Sequence, residues 1–292
     1  MSFREDHSQG HSLGSCFLRG MKKLEKAGIA EAETDAWILF SETTGLSRNE
    51  YYLRSDEVMD PAMEKRFSGQ IEKRLSRIPV QYILGKAWCF GNTFYVNEDV
   101  LIPRLDTEIL IDESSKRLLP GMRFLDLCTG SGCILVSLLL LRKAIGTGSD
   151  LSEEALRVAK INLEHYGLQA ELVRSDLLRD IRGRFDLIVS NPPYIPTGEV
   201  ERLDPEVRDH EPHFALDGGE DGMNFFRRII RGAGEHLNRD GWLLMEIGYD
   251  EGDRVRRMLE ENGYREIEII RDFSGLDRVA AGRCPEKAGE SE

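Results

Sequence analysis

Apolar residues recur along this chain with two different periods, and the change of period divides it. From about 13 to 75 they fall at helical spacing. In "SCFLRGMKKLEKAG" (residues 15–28) they sit at 17, 18, 21 and 24, and Gly28 is a stop signal. "AETDAWILFSETTG" (32–45) and "PAMEKRFSGQIEKRLSR" (61–77) continue the pattern, the latter opening on a proline suited to a first helical turn. This predicts a small helical bundle. Residues 78–104 change texture: β-branched and aromatic residues, with turn signals at Gly85 and Gly91-Asn92, predict a β-hairpin linking the two ends. Beyond 105, short apolar runs predict strands over 123–129, 144–150, 170–176, 185–191, 241–248, 265–272 and 277–283. Helical patterns over 131–142, 152–167, 222–237 and 251–262 separate or follow them. Strands alternating with helices predict an α/β fold with a doubly wound, mainly parallel sheet, closed by the last two strands as a pair. The expected domains are a helical one over 1–77, a hairpin linker over 78–104 and the sheet domain over 105–292.

Composition agrees with that division. A length of 292 residues suits two domains, and 40% apolar content supplies a sizeable core. The longest apolar run, Cys133 to Leu141, is far shorter than the roughly 20 residues of a membrane span. The opening "MSFREDHSQGHSLG" has no apolar core behind a basic start, so it reads as a frayed lead-in rather than a secretory signal, and "PEKAGESE" reads as a polar tail. Five cysteines form no CxxC pair, which fits free thiols in a reducing cytoplasm. "HEPH" (210–213) lacks a third ligand, so no metal site is expected. Residues 1–75 carry 11 Lys/Arg against 13 Asp/Glu, a net −2, and the remainder 28 against 39, a net −11. A protein that grips a nucleic-acid duplex usually shows a basic footprint, and this balance counts against one.

The chemistry collects where the predicted strands end. "DLCTGSGC" (126–133) runs from a strand through a glycine turn into a helix; Gly130 and Gly132 let a ligand approach the backbone and the helix start offers free N–H groups. Asp150 ends the next strand, where a carboxylate suits a ribose diol. Asp176 ends the third, where it can accept from an adenine amine while Leu177 packs on the purine face. Each aspartate could equally cap a helix. Together they favour an adenosine ligand, NAD or S-adenosylmethionine.

"SNPPYIP" (190–196) separates the two. Asn191 offers a side-chain oxygen. Pro192, fixed by the following Pro193, holds its carbonyl in one direction, because a residue before proline is driven to extended geometry. Two acceptors can then converge on one NH₂ group, with Tyr194 as a stacking face. The motif reads as a clamp for a planar, conjugated amine or amide.

With these stretches the chain resembles class I S-adenosylmethionine-dependent methyltransferases bearing an NPPY motif, and more narrowly the PrmC/HemK family of protein-glutamine methyltransferases. "LIPRLDTE" (101–108), "DLCTGSG" (126–132), "SDLS" (149–152), "NPPYI" (191–195), "EPHFALDGGEDG" (211–222) and "GLDRVAAGR" (275–283) carry the resemblance. It implies the class I methyltransferase fold, a doubly wound seven-stranded sheet, with a helical N-terminal domain for substrate recognition. It implies that Asp126, Cys128, Thr129, Gly130, Ser131, Gly132, Asp150, Asp176, Leu177 and Asn191 bind S-adenosylmethionine. Asn191, Pro192, Pro193 and Tyr194 would hold the substrate, and Asn191, Pro192 and Tyr194 would carry catalysis. The implied acceptor is the glutamine in the GGQ loop of peptide-chain release factors, with no DNA and no membrane as partner. The rival reading is a DNA adenine or cytosine amino-methyltransferase, in which the same clamp holds a flipped base. A non-catalytic adaptor and an NAD oxidoreductase explain less of the pattern. Two positions depart from the family: Cys128 replaces a glycine, mildly so if its φ is negative and at a cost to cofactor affinity if it is positive, and Leu105 replaces a proline.

Overall fold

A computed structural model of the chain describes residues 10–284, so the first nine residues of the lead-in and the polar tail over 285–292 lie outside the described residues. The chain divides between Leu84 and Gly85 into two compact units. Among the described residues the first holds five helices: α1 (Leu13–Lys26), α2 (Ala32–Thr44), α3 (Arg48–Arg54), α4 (Pro61–Leu75) and α5 (Val80–Leu84). Their starts follow capping chemistry. Ser12 accepts from Ser15 N, and Asp60 from Ala62 N and Met63 N with Pro61 at the first helical position. The short α3, absent from the periodicity, is nucleated by a capping box between Ser47 and Glu50. Phe17, Phe40, Tyr51 and Phe67 meet edge-to-face in this unit's core, with ring centroids 5.3–5.5 Å apart.

The hairpin predicted over 78–104 is shorter. Its strands are β1 (Lys86–Cys89) and β2 (Asn92–Tyr95), within the second unit. Residues 80–84 are helical instead, because Pro79 cannot donate in a ladder and its carbonyl accepts from Tyr82 N and Ile83 N, opening a helical turn.

The rest of the second unit alternates: α6 (Thr107–Arg117), β3 (Arg123–Leu127), α7 (Cys133–Leu141), β4 (Ile145–Asp150), α8 (Glu153–His165), β5 (Glu171–Arg174), β6 (Phe185–Ser190), α9 (Thr197–Val200), α10 (Pro205–Arg208), α11 (Asn224–His236), β7 (Leu237–Glu246), α12 (Gly252–Glu261), β8 (Arg265–Arg271) and β9 (Asp277–Arg283). The seven-stranded sheet has the order β5-β4-β3-β6-β7-β9-β8. The five strands from β5 to β7 are parallel; β9 is antiparallel to both of its neighbours. This is the class I methyltransferase fold. Apolar clusters cover both faces: Phe226, Ile229, Val255 and Leu259 of α11 and α12 belong to one, and Leu110, Ile111, Leu135 and Leu138 of α6 and α7 to the other. From β3 the chain moves outward to β4 in one direction and continues at β6 in the other. The crevice between β3 and β6 is therefore the switch point where such sheets bind ligands, beyond the carboxyl ends of the strands.

Candidate active site

The sheet register sets four residues along one rim. Leu127 pairs with Ser149 and with Ser190, and Ser190 pairs with Met245. The next residue on each strand is Cys128, Asp150, Asn191 or Glu246. Ser190 Oγ ties two of these ends together, donating to Leu127 O at 2.9 Å.

The turn after β3 is shaped by Asp126. Its carboxylate is fully buried and accepts from Thr129 Oγ1 at 2.6 Å and Leu135 N at 3.2 Å, while Oδ1 has no partner. Burial pushes its pKa up to about 7. Gly130 and Gly132 are left-handed, with φ of +53° and +77°, and a Cβ on Gly132 would press on Ala159 of α8 at 3.1 Å. Cys128 is also left-handed, with φ +59°. The condition for a mild replacement of glycine is therefore not met: the Cβ sits in a conformation that L residues avoid, at a cost of about 1–2 kcal/mol. Its side chain packs against the apolar cluster under α11, and burial raises the thiol pKa, keeping it protonated.

Asp150 holds the loop with both oxygens, accepting from Gly130 N and Ser152 N at 3.0 Å each. Burial raises its pKa. Asp176 is half-exposed, and its Oδ1 accepts from Arg228 at 2.6 Å, an engagement not foreseen in the sequence. Leu177 follows with φ +54°, held by Ser175 Oγ donating to its carbonyl at 2.7 Å.

At the Pro-Pro corner, Pro192 and Pro193 are buried and Asn191 is partly so. Asn191 Nδ2 donates to Thr107 Oγ1 at 3.3 Å, and Thr107 Oγ1 donates to Glu246 Oε2 at 2.7 Å. The Tyr194 hydroxyl donates to Glu246 Oε1 at 3.4 Å, and its ring packs against the core. Burial pushes Glu246 up to about 7 and raises the Tyr194 phenol. The "EPHFALDGGEDG" segment backs this corner. Ile195 N donates to Leu216 O and Gly218 N to Ile195 O. A Cβ on Gly222, where φ is +75°, would stand 2.3 Å from Tyr194 O. Glu211 binds Ile102 N at 3.1 Å and Arg104 at 2.5 Å, so it braces the "LIPR" loop.

One cavity of about 170 Å³ gathers most of these positions. Cys128, Thr129, Gly130, Ser131, Asp150, Asp176, Leu177, Asn191 and Pro193 line it; Asp126, Gly132, Pro192 and Tyr194 stand outside the lining. Thr107, Phe214 and Phe225 also line it, and sequence reasoning missed them. It also missed Glu246, whose signal was a carboxylate inside the apolar strand "GWLLMEIG". The donor set fits an adenosine ligand: a bare glycine backbone, a carboxylate at the β4 end, and Leu151 and Leu177 as apolar walls. Among the described residues no group of His, Cys, Asp and Glu could hold a metal ion, and no helix is long and apolar enough to cross a membrane.

The comparisons with known proteins match both units. A family model for the PrmC N-terminal domain matches residues 17–85, and one for the methyltransferase small domain matches 104–203. The release factor glutamine methyltransferase of Geobacter sulfurreducens is 40% identical over 262 residues, 89% of this chain and 92% of that protein. That of Agrobacterium fabrum is 38% identical over 279 residues, 91% of this chain and 95% of that protein. The T. thermophilus 16S rRNA N2 G1207 methyltransferase, solved with AdoMet and guanosine, aligns with a TM-score of 0.51 at 19% identity over 68% of this chain and 49% of that one, a likeness of fold alone. Relatives this similar over nine-tenths of the length, on a sheet whose rim carries the Asn-Pro-Pro-Tyr corner, decide the matter: the chain belongs to the release factor glutamine methyltransferase family.

Proposed function

We propose that this protein transfers a methyl group from S-adenosylmethionine to the side-chain amide nitrogen of a glutamine, the one in the GGQ loop of peptide-chain release factors. The observation that carries the reading is the shared cavity: Asn191 and Pro193 face the same space as Gly130, Asp150 and Leu177. When bound, the cofactor supplies an electrophilic methyl on a sulfonium. Gly130 and its neighbours hold the methionyl part, Asp150 the ribose, and Asp176 with Leu177 the adenine. Asp126, from behind the turn, fixes Thr129.

An amide nitrogen is a weak nucleophile because its lone pair is delocalised. Asn191 Oδ1 and the Pro192 carbonyl accept its two N–H groups, hold it in place and raise its electron density. Tyr194 closes the corner beside it. The contribution is positioning and electrostatic preorganisation, and no strong base is needed, since the nitrogen becomes acidic as it is alkylated. The helical domain over 1–77 recognises the partner, residues 78–104 link it, and residues 105–292 carry the transfer. The match of residues 17–85 to the PrmC N-terminal domain supports that division. A cytoplasmic setting is part of the same reading, and the five free cysteines support it.

The test is transfer of labelled methyl to a purified release factor, beside the same factor with its GGQ glutamine changed to asparagine and a duplex DNA control. Label on the intact factor alone is expected. Label on the DNA would assign the corner to a base instead.

A further inference from the structure

The Asn191 amide can sit in either of two orientations, and only one of them serves a clamp for N–H groups. What selects it is a polar chain behind the corner. Asn191 meets Thr107 Oγ1 at 3.3 Å, and Thr107 meets Glu246 at 2.7 Å. A hydroxyl has one proton to give. An ionised Glu246 can only accept, so it takes that proton. Thr107 is then left to accept, and Asn191 must turn its NH₂ toward Thr107. Its Oδ1 is the end left for the cavity. A protonated Glu246 can donate to Thr107 instead. The Thr107 proton is then available to Asn191 Oδ1, and the amide turns over. An NH₂ group in the cavity repels the NH₂ it should hold.

We propose, resting on the glutamine-transfer reading above, that Glu246 is a positioning residue of the reaction, and that its charge sets through Thr107 which end of Asn191 faces the acceptor amide. The residues come from three separate elements: Thr107 opens α6, Asn191 follows β6, and Glu246 ends β7. Glu246 is 1% exposed, so water does not substitute for these partners. The groups that face it are Asp106 and Thr107 on α6, Tyr194 on the corner and Arg278 on β9. Arg278 is itself shared between Asp106 at 3.3 Å and Asp272 at 3.0 Å, so it does not hold Glu246 ionised alone. Burial accordingly dominates and brings Glu246 up to about 7, where modest acidification changes its charge.

The experiment reads kcat for a purified release factor with both substrates saturating, from pH 6 to 9, together with ¹⁵N NMR of the Asn191 side-chain amide. In the wild type kcat should fall by up to about tenfold per pH unit below about pH 7, and the amide resonances should move with the same midpoint. Glu246→Gln cannot ionise, so it should lose both the acid limb and the NMR titration, with kcat at pH 8 about tenfold lower. Thr107→Val should lower kcat about 10²-fold, and Thr107→Ser should recover most of that, with cofactor Kd within about threefold throughout. A wild-type kcat flat across the range, an acid limb retained in E246Q, or T107V as active as T107S each overturns the role. If T107V does not fold, the wild type and E246Q decide alone. The NMR titration needs no acceptor protein. Its presence without any transfer would remove the substrate assignment and keep the positioning chain; its absence removes the positioning chain.

Discussion

On the glycine side of the cavity the wall is mostly backbone, stacked in order along the chain: the turn after β3, the end of β4, the end of β5. Its hydrogen bonds span short separations, such as Gly130 N to Asp150, 20 residues apart. On the Pro-Pro side the wall is side chains drawn from far apart. Thr107 and Glu246 are 139 residues apart, and Asn191 and Thr107 are 84 apart. The first kind of wall offers a ligand a rigid backbone surface, held by its own bonds from Gly130 N to Asp150, Thr129 N to Ser149 O and Gly132 N to Thr129 O. The second holds one amide in one orientation, which is what an acceptor nitrogen requires.

Damage to the two sides should therefore separate. The largest effect is expected from Asn191→Ala: kcat lower by about 10³-fold while cofactor affinity, read by calorimetry, stays within about threefold. Equal loss of both would merge the two sides into one. Next comes Gly222→Ala, which strikes the Pro-Pro side through its backing. The added Cβ would collide with Tyr194 O, and φ +75° adds strain, so about 3 kcal/mol of stability should go, with Tm falling by about 6–12 °C. An unchanged Tm would mean the corner yields freely. Asp150→Asn tests the glycine side. An amide can accept from only one of Gly130 N and Ser152 N, so cofactor Kd should rise about 30-fold with little change in kcat at saturation. The smallest effect belongs to Cys128→Gly. Relief of the left-handed strain and loss of the partly buried sulfur oppose each other, so stability should move by less than about 1 kcal/mol.

The same contrast explains what could be read in the sequence. Strand and helix alternation was visible because each period is local, and the glycine turn, Asp150 and Leu177 follow directly from where strands end. The residues behind the corner were not visible. Nothing near Thr107 in sequence signals Glu246, and α6, which carries Thr107, has too weakly apolar a face to predict a helix. Arg228 on Asp176 was missed for the same reason, since the pair is 52 residues apart. Cys128 is a different case. Its identity was plain, but the sign of φ is set by the turn that Asp126 and Thr129 build around it. The β-branched texture predicts a longer hairpin than forms, because one proline at 79 opens a helical turn instead.

The strand order makes one end of the sheet depend on a single strand. β8 and β9 form a hairpin, and it is the later strand, Asp277–Arg283, that pairs with β7. Without that strand, β7 would be an open edge, and β8 would have nothing in the sheet to join. Glu246 pairs with Val279 in the finished ladder, and Arg278 beside it reaches Asp106. Glu246 therefore leans on a single closing strand: without Asp277–Arg283 it would lose its ladder partner Val279, and Arg278 with it, while Thr107 and Tyr194 stayed in place.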